Sequence, residues 1–258
     1  MLPLFKSDYS IGKSILTSEQ TSTEDGPTSI FQIAQENNLK ELILVEDSLT
    51  GFLKCQKNST ELGIKLIFGL RMSFCDDSLE TDKDSASNSH KVIIFAKNSN
   101  GCKLLNEIYS YAFTKRGGKL DSNYLNSIWI EEDLKLCIPF YDSFIFNNLM
   151  NFSTCILDVG FTNPDFFIED NCLPFDQMVS EKVKEYCTTN NYNYILSKSI
   201  YYHKRSDFSA YQTYKCICSR SSFGRGRSLD KPNLDHCSSK EFSFESWSEA
   251  SGHKKTRN

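Results

Sequence analysis

The chain has 258 residues, a length at which a single α/β domain can bury a substantial core. Charged residues make up 24% of it, and 33 acidic against 29 basic side chains leave a formal net charge of −4. This balance excludes a general attraction of the whole chain to nucleic acid phosphates. The opening MLPLFKSDYS lacks the regions of a secretory signal, and no window is long enough to cross a bilayer, so we expect a cytoplasmic protein.

The ten cysteines are irregularly spaced, and several, such as Cys137 and Cys155, stand inside apolar runs. This pattern is typical of buried free thiols in a reducing compartment. The alternative is a zinc site made from Cys216, Cys218, His236 and Cys237. These residues lack the paired two-residue gaps of most zinc sites, so the sequence favours thiols.

Helix and strand signals alternate through the first third of the chain. Thr28 or Ser29 can cap a helix that reaches about Asn38. The apolar run at 41–45 has the composition of a strand buried on both faces. A second helix follows from Ser48 to about Gly63, and residues 64–68 predict the next strand.

A polar, acidic stretch at 75–89 interrupts this alternation and is typical of an excursion between elements. Beyond it the sequence predicts a strand at 92–95 and a long helix at 100–115 that ends at Gly117-Gly118. Further strands are expected at 134–138, 154–159 and 193–197, and further helices at 142–151, 176–188 and 206–219.

Repeated strand–helix units predict a parallel sheet, and their number favours a closed barrel over an open sheet. No stretch has the composition of a linker, so we expect one α/β domain over residues 1–247. Residues 248–258, which end in SGHKKTRN, are expected to form a flexible tail.

Four segments, in the right order, carry a resemblance to a known family: FKSDYS at 5–10, LKELILVED at 39–47 with GIKLIFG at 63–69, VIIFAKNSNGCKLL at 92–105, and YILSKSIYY at 194–202 with LDKP at 229–232. They resemble the polymerase and histidinol phosphatase (PHP) domain that begins the bacterial DNA polymerase III alpha subunit. The resemblance implies a distorted (β/α)7-type PHP barrel. It ends where that domain would join the polymerase palm, so we expect no DNA polymerisation by this chain alone.

The resemblance also indicates where metal ligands would stand. The family has a His-x-His pair on the first strand, an Asp-His pair after the second, a Glu after the third, a His before the fourth and an Asp-x-His on the last. The corresponding residues here are Leu4, Lys6, Glu46, Asp47, Arg71, Lys91, Ser199 and Tyr201. Most of these cannot bind a metal, and the cationic ones oppose a divalent ion. We therefore expect a degenerate site without a metal cofactor.

Residual acidic groups keep an enzyme as an alternative hypothesis. A divergent phosphoesterase or 3′–5′ exonuclease would use Glu46, Asp47 and Asp158, with His90 or His203. It would need zinc, manganese or iron to activate water. Asp8 is a further acidic candidate, whose simpler interpretation is a loop cap.

Positive charge offers a third hypothesis, in which the site binds phosphate or nucleic acid without a metal. The candidates are Lys6, Arg71, Lys91, Lys198, Arg225 and Arg227. The competing interpretation is that Lys6 and Arg71 pair with Glu46 and Asp47 and simply fill an abandoned site. The sequence favours this filled site.

These observations lead to one preferred hypothesis about function. We expect a catalytically silent PHP-like module of DNA replication that binds a replicative polymerase or an associated replication protein. A small chain with substituted ligands and no polymerase body would suit a phage or mobile-element product.

Overall fold

The computed structural model describes residues 1–75, 89–219 and 236–253, which contain eight strands and eight α-helices. The strands are β1 (Leu2–Phe5), β2 (Glu41–Glu46), β3 (Lys65–Phe74), β4 (His90–Ala96), β5 (Lys119–Leu120), β6 (Leu134–Ile138), β7 (Asp165–Ile168) and β8 (Asn193–Ile200). The helices are α1 (Ile30–Glu36), α2 (Phe52–Glu61), α3 (Ser99–Lys115), α4 (Ser122–Ile128), α5 (Phe144–Met150), α6 (Asp176–Asn190), α7 (Phe208–Cys218) and α8 (Phe244–Ser251).

Seven strands of the described ranges close into a barrel in the order β1-β2-β3-β4-β6-β7-β8, and β8 pairs with β1. The short β5 extends the end of β3. All barrel pairings are parallel except those of β4, which runs antiparallel to both β3 and β6. The prediction of a single α/β body built on a closed barrel is confirmed at this level.

Two apolar layers hold the barrel together, because alternate strand residues face opposite sides. The outward residues pack with the helices in the larger core, and Phe5, Phe74 and Phe166 are among those fully buried there. A smaller core fills the barrel itself. Its buried members are Leu4, Ile43, Val45, Ile93, Phe95, Cys137 and Phe167.

The reversed direction of β4 departs from the parallel sheet that the sequence predicts. Phe74 at the end of β3 pairs with His90 at the start of β4, so both residues lie at the same end of the barrel. The excursion at 75–89 therefore joins neighbouring strand ends, although residues 76–88 lie outside the described residues. As a result, β4 begins at the end where the parallel strands finish.

The strand expected at 154–159 is wrong, and the barrel strand in this part of the chain is β7, Asp165–Ile168. The backbone of Cys155 finds its partners on a helix, because its N–H donates to Asn148 Oδ1 at 2.8 Å and its carbonyl accepts from Asn148 Nδ2 at 2.9 Å. Backbone groups whose hydrogen bonds are satisfied by a side chain do not require pairing with a neighbouring strand. The apolar run at 154–157 thus packs without forming a strand.

The other elements differ from expectation mainly in their bounds. Helix α8 continues through Ser251, so the boundary expected after residue 247 falls inside a helix. Residues 254–258 of the expected tail lie outside the described residues. β5, α4 and α8 are additional elements that the sequence did not indicate.

No helix in the described part of the chain is long and apolar enough to span a membrane.

Gly101 explains why the Lys-Asn-x-x-Gly turn into α3 needs glycine. Its N–H donates to the capping Asn98 Oδ1 at 2.9 Å, and an added Cβ would lie 2.2 Å from the carbonyl oxygen of Asp133. Because the contact is with a backbone atom, no side-chain rotation can relieve it. We expect Gly101→Ala to lower the free energy of unfolding by about 2 kcal/mol, measured by urea denaturation.

Gly160→Ala is the matched control for this prediction, because Gly160 is exposed and has no atom within 4 Å of a built Cβ. A Gly101→Ala protein as stable as the Gly160→Ala protein would contradict the steric explanation.

Candidate functional site

The candidate site lies at the barrel mouth, which we define as the end where the parallel strands finish. Side chains that alternate with the barrel core reach it from several strands, and they enclose a cavity of about 40 Å³. The cavity is lined by Leu4, Phe5, Lys6, Val45, Arg71, Ile93, Pro139, Tyr141, Phe167, Glu169, Ser199, Tyr201 and His236. Five of the eight positions that the resemblance assigns to metal ligands (Leu4, Lys6, Arg71, Ser199 and Tyr201) are therefore brought together.

Lys6 and Asp47 form the first ion pair of the mouth. Lys6 Nζ lies 3.1 Å from Asp47 Oδ1, but the approach is off-axis, so Nζ has no well-aligned hydrogen-bond acceptor. The Lys6 side chain is only 6% exposed, whereas that of Asp47 is 33% exposed. Burial lowers the pKa of Lys6 despite the opposing effect of Asp47. Burial alone would raise the pKa of Asp47, but Lys6 and Arg71 outweigh it and the net shift is downward.

Arg71 and Asp142 form the second ion pair. Arg71 Nη2 lies 2.5 Å from Asp142 Oδ2 and 3.4 Å from the Tyr141 carbonyl oxygen. Burial opposes the charge of Arg71, yet Asp142 and Asp47 raise its pKa overall. Lys91 stands beside this pair, and its Nζ donates to Ser73 Oγ at 2.7 Å. Burial and the nearby Arg71 lower the pKa of Lys91.

Glu46 does not pair with Lys6 or Arg71 as the filled-site hypothesis expected. Its carboxylate accepts from Ser7 N–H at 2.8 Å and from Ser10 Oγ, and Ser10 Oγ in turn accepts from Asp47 N–H at 3.0 Å. Burial raises the pKa of Glu46. Glu46 therefore fastens the loop after β1 to the end of β2. The partner of Lys6 is Asp47, and the partner of Arg71 is Asp142, which the sequence did not indicate.

A second polar network fills the mouth beside β7 and β8. Glu169 accepts from Ser199 Oγ at 2.8 Å, from Ser199 N–H at 2.9 Å and from Asn171 Nδ2 at 2.9 Å. Tyr141 OH accepts from Asn171 Nδ2 and donates to Asp176 Oδ1, each at 3.0 Å. Burial raises the pKa of Glu169 and of Asp176. Ser199 thus supplies two of the three hydrogen bonds that the buried Glu169 carboxylate accepts, and Asn171 supplies the third.

Aromatic rings cover the mouth around His236. The imidazole meets the rings of Phe242, Tyr201 and Tyr141 edge-on, with centroid distances of 4.8, 5.1 and 5.6 Å. Tyr201 also stacks on Phe242 at 5.4 Å. Tyr201 therefore serves as packing surface at a position where the resemblance implies a histidine ligand.

Several candidates from the sequence do not reach the mouth. Asp158 is exposed and accepts from Ser122 Oγ at 3.0 Å, at the start of α4. Asp8 is exposed in the loop after β1, where Thr17 Oγ1 donates to it at 3.4 Å. Half-buried His203 packs near the Phe244 ring, with centroids 6.0 Å apart.

The basic candidates divide in the same way. Lys198 lies between Ser197 and Ser199 on β8, and its Nζ donates to the Asp170 carbonyl oxygen at 2.9 Å. Like Lys91, it does not line the cavity with Lys6 and Arg71, and its role as a phosphate-binding residue stays a prediction. Arg225 and Arg227 lie outside the described residues.

His90 is one residue from a ligand position but faces away from the barrel. Lys91 and His90 are neighbours on β4, so they point to opposite sides. The His90 ring is 2% exposed and lies between Phe74 and Phe144, with centroid distances of 5.3 and 5.7 Å. Burial lowers the pKa of His90 to about 4. His90 is a core residue of the outer layer.

This burial predicts an acid sensitivity. The unfolded chain binds a proton at His90 near pH 6.5, whereas the folded state binds it only near pH 4, so stability falls as the pH drops between these values. We expect the protonation of His90 to make the free energy of unfolding about 2 kcal/mol lower at pH 5 than at pH 7.5. His90→Leu should abolish this loss in urea denaturation at the two pH values. His203→Leu should keep it, and equal pH dependence in His90→Leu and the parent protein would contradict the prediction.

The zinc hypothesis gains no support. Among the described residues, no three histidine, cysteine, aspartate or glutamate side chains are arranged to hold a metal ion. Cys216 and the exposed Cys218 lie near the end of α7 with free thiols, while His236 stands within its aromatic cage.

Tyr141, Asp142, Glu169 and His236 are the mouth residues that the sequence analysis missed. Glu169 directly follows the apolar run of β7, as Glu46 and Asp47 follow the apolar run at 41–45, and this is the signal that could have found it. It was missed because the seventh strand was expected at 154–159. Asp142 follows β6 by four residues and was assigned to a helix.

Comparison with known proteins adds no relative: no family model matches the chain, and no curated protein sequence matches it significantly.

Proposed function

We propose that this chain is a catalytically silent barrel of PHP type that acts as a binding module in DNA replication. Its partner would be a replicative polymerase or a protein associated with one. The observation that carries the proposal is that Lys6 and Arg71, which stand where the resemblance implies metal ligands, form ion pairs with Asp47 and Asp142. Two unit charges 4 Å apart interact by about 4 kcal/mol at an effective dielectric constant of 20, so each cation strongly opposes a divalent ion.

The barrel supports the PHP part of this proposal. The segments that carry the resemblance lie on β1, β2, β3, β4 and β8, apart from LDKP at 229–232, which lies outside the described residues. Five of the eight ligand positions that the resemblance implies line the cavity at the mouth. The turn at 97–101 leads from β4 into α3, as the resemblance expects. A distorted (β/α)7 topology is compatible with seven closed strands of which one is reversed.

The cavity supports a silent site over an enzyme. Hydrolysis of a phosphodiester needs a complete set of ligands around an activated water. Of the residual candidates, only Asp47 has its charge at the mouth, and Lys6 already neutralises it. Asp158 is exposed elsewhere, and His90 faces the outer core. A binding role needs none of these groups.

Metal content separates the silent module from the divergent phosphoesterase. Protein purified without chelator should contain less than stoichiometric zinc, manganese and iron by mass spectrometry. It should not hydrolyse a generic phosphodiester in the presence of manganese. A stoichiometric metal, together with hydrolysis that Asp47→Ala abolishes, would replace this proposal with the enzyme.

The partner is tested by cross-linking and copurification of the tagged chain from its native host. We expect a replicative polymerase subunit or an associated replication protein to be enriched over an unrelated bait with the same tag. The double variant Lys6→Met/Asp47→Ala should capture the same partner, because the proposal gives this ion pair no chemical role. Recovery of no replication protein under these conditions would refute the partner.

A further inference from the structure

The walls of the mouth cavity carry more hydrogen-bond donors than free acceptors. Lys6 lines the cavity with an ammonium that is almost fully buried and lacks a well-aligned acceptor. The side-chain hydrogen bonds of Arg71 within the described residues all use Nη2, which leaves Nε and Nη1 for another partner. Two cationic donors therefore share one small space.

The acidic groups nearby do not balance this excess inside the cavity. Asp47 and Asp142 pair with the cations but do not line the cavity, and their side chains are 33% and 50% exposed. Glu169 does line it, but its oxygens already accept three hydrogen bonds from Ser199 and Asn171. Lys6 is paired with Asp47, but its buried Nζ has no well-aligned hydrogen-bond acceptor, so a small anion in the cavity is the complementary occupant.

The size of the cavity limits which anion fits. A water molecule needs about 10–15 Å³ of such space, so a cavity of about 40 Å³ holds on the order of three water-sized particles. The apolar floor, formed by Leu4, Val45, Ile93 and Phe167, gives no further polar contact. A halide or a formate-sized carboxylate fits within this space, whereas a phosphate ester would extend beyond it.

We propose that the mouth cavity binds a small monovalent anion, held by Lys6 and Arg71. This inference does not depend on the replication partner. It also separates the cavity from the phosphate-binding hypothesis, because size excludes the phosphate that charge alone would admit. Anion binding would neutralise the positive charge that Lys6 and Arg71 direct into the cavity, and it would stabilise the folded state.

The first test measures the thermal midpoint Tm while sodium chloride or sodium formate replaces sodium gluconate at constant ionic strength. We expect a saturable rise in Tm with chloride and with formate, because both bind only the folded state. Lys6→Met should weaken the apparent affinity at least tenfold. Lys135→Met is the matched control and should keep the dependence, because Lys135 pairs with Asp165 at 3.1 Å on the β6 and β7 residues farthest from the mouth.

The second test does not depend on the folding of a variant. Crystals of the unmodified protein soaked in bromide should show an anomalous peak in the cavity, in contact with Lys6 Nζ. Water alone in the cavity, or a Tm that follows ionic strength regardless of the anion, would overturn the proposal. Equal stabilisation by phosphate through Lys6 would overturn the size limit and with it the proposed ligand class.

Discussion

Replacing Asp176 with alanine is expected to lower the free energy of unfolding by about 4 kcal/mol, the largest effect that we predict for a single polar side chain. Asp176 is 3% exposed and accepts from Asn171 N–H at 2.8 Å, Leu173 N–H at 3.0 Å and Tyr141 OH at 3.0 Å. Alanine would leave all three donors buried without a partner. Each such donor costs about 1–3 kcal/mol, and the effects are not fully additive.

Urea denaturation of two further variants tests this explanation. Asp176→Asn can keep both backbone hydrogen bonds, because Asn171 and Leu173 donate to the same oxygen, but its NH2 group then faces Tyr141 OH, so we expect only part of the loss. Gln177→Ala changes the exposed neighbour and should alter stability by less than about 0.5 kcal/mol. If Asp176→Ala proved no less stable than Gln177→Ala, the network would have no structural role.

Removing Asp47 should destabilise the protein by about 3 kcal/mol, because Lys6 would remain as a buried cation without its counter-charge. The figure is at the lower end for buried pairs, since Asp47 is one-third exposed and partly screened. The folded-state pKa of Lys6 would then lie still further below its unfolded value. The unfolded state would hold more protons, so the loss should shrink as the pH rises from 7 to 9.

A double-mutant cycle measured by urea denaturation checks this prediction. Lys6→Met leaves only Asp47, which can turn to water, so we expect a loss of about 1 kcal/mol. Lys6→Met/Asp47→Ala should lie within about 1 kcal/mol of the parent protein, because an apolar side chain of similar length replaces the pair. Glu41→Ala breaks the exposed pair with Lys65 and serves as the surface control. If the double variant proved less stable than Asp47→Ala alone, apolar side chains could not replace the ion pair and this explanation would be wrong.

Local patterns predicted most of the helices and strands because each rests on a short-range signal. Ser29 accepts from Phe31 and Gln32 N–H as the cap of α1, and Asn98 caps α3. The apolar runs of β2 and β6 became strands buried on both faces. The run at 154–157 failed because the side chain of Asn148, which lies on α5, satisfies the backbone of Cys155, and no period or composition encodes that contact.

The sequence by itself determined that Lys6, Arg71 and Tyr201 stand where the resemblance implies metal ligands, and that α/β units close around an apolar core. Only the tertiary structure decided the charge partners, because a salt bridge depends on which strand ends meet. It paired Arg71 with Asp142 rather than with Asp47, and gave Glu46 to Ser7 and Ser10. It also decided the volume left at the mouth, since packing of side chains from distant segments sets a cavity of about 40 Å³.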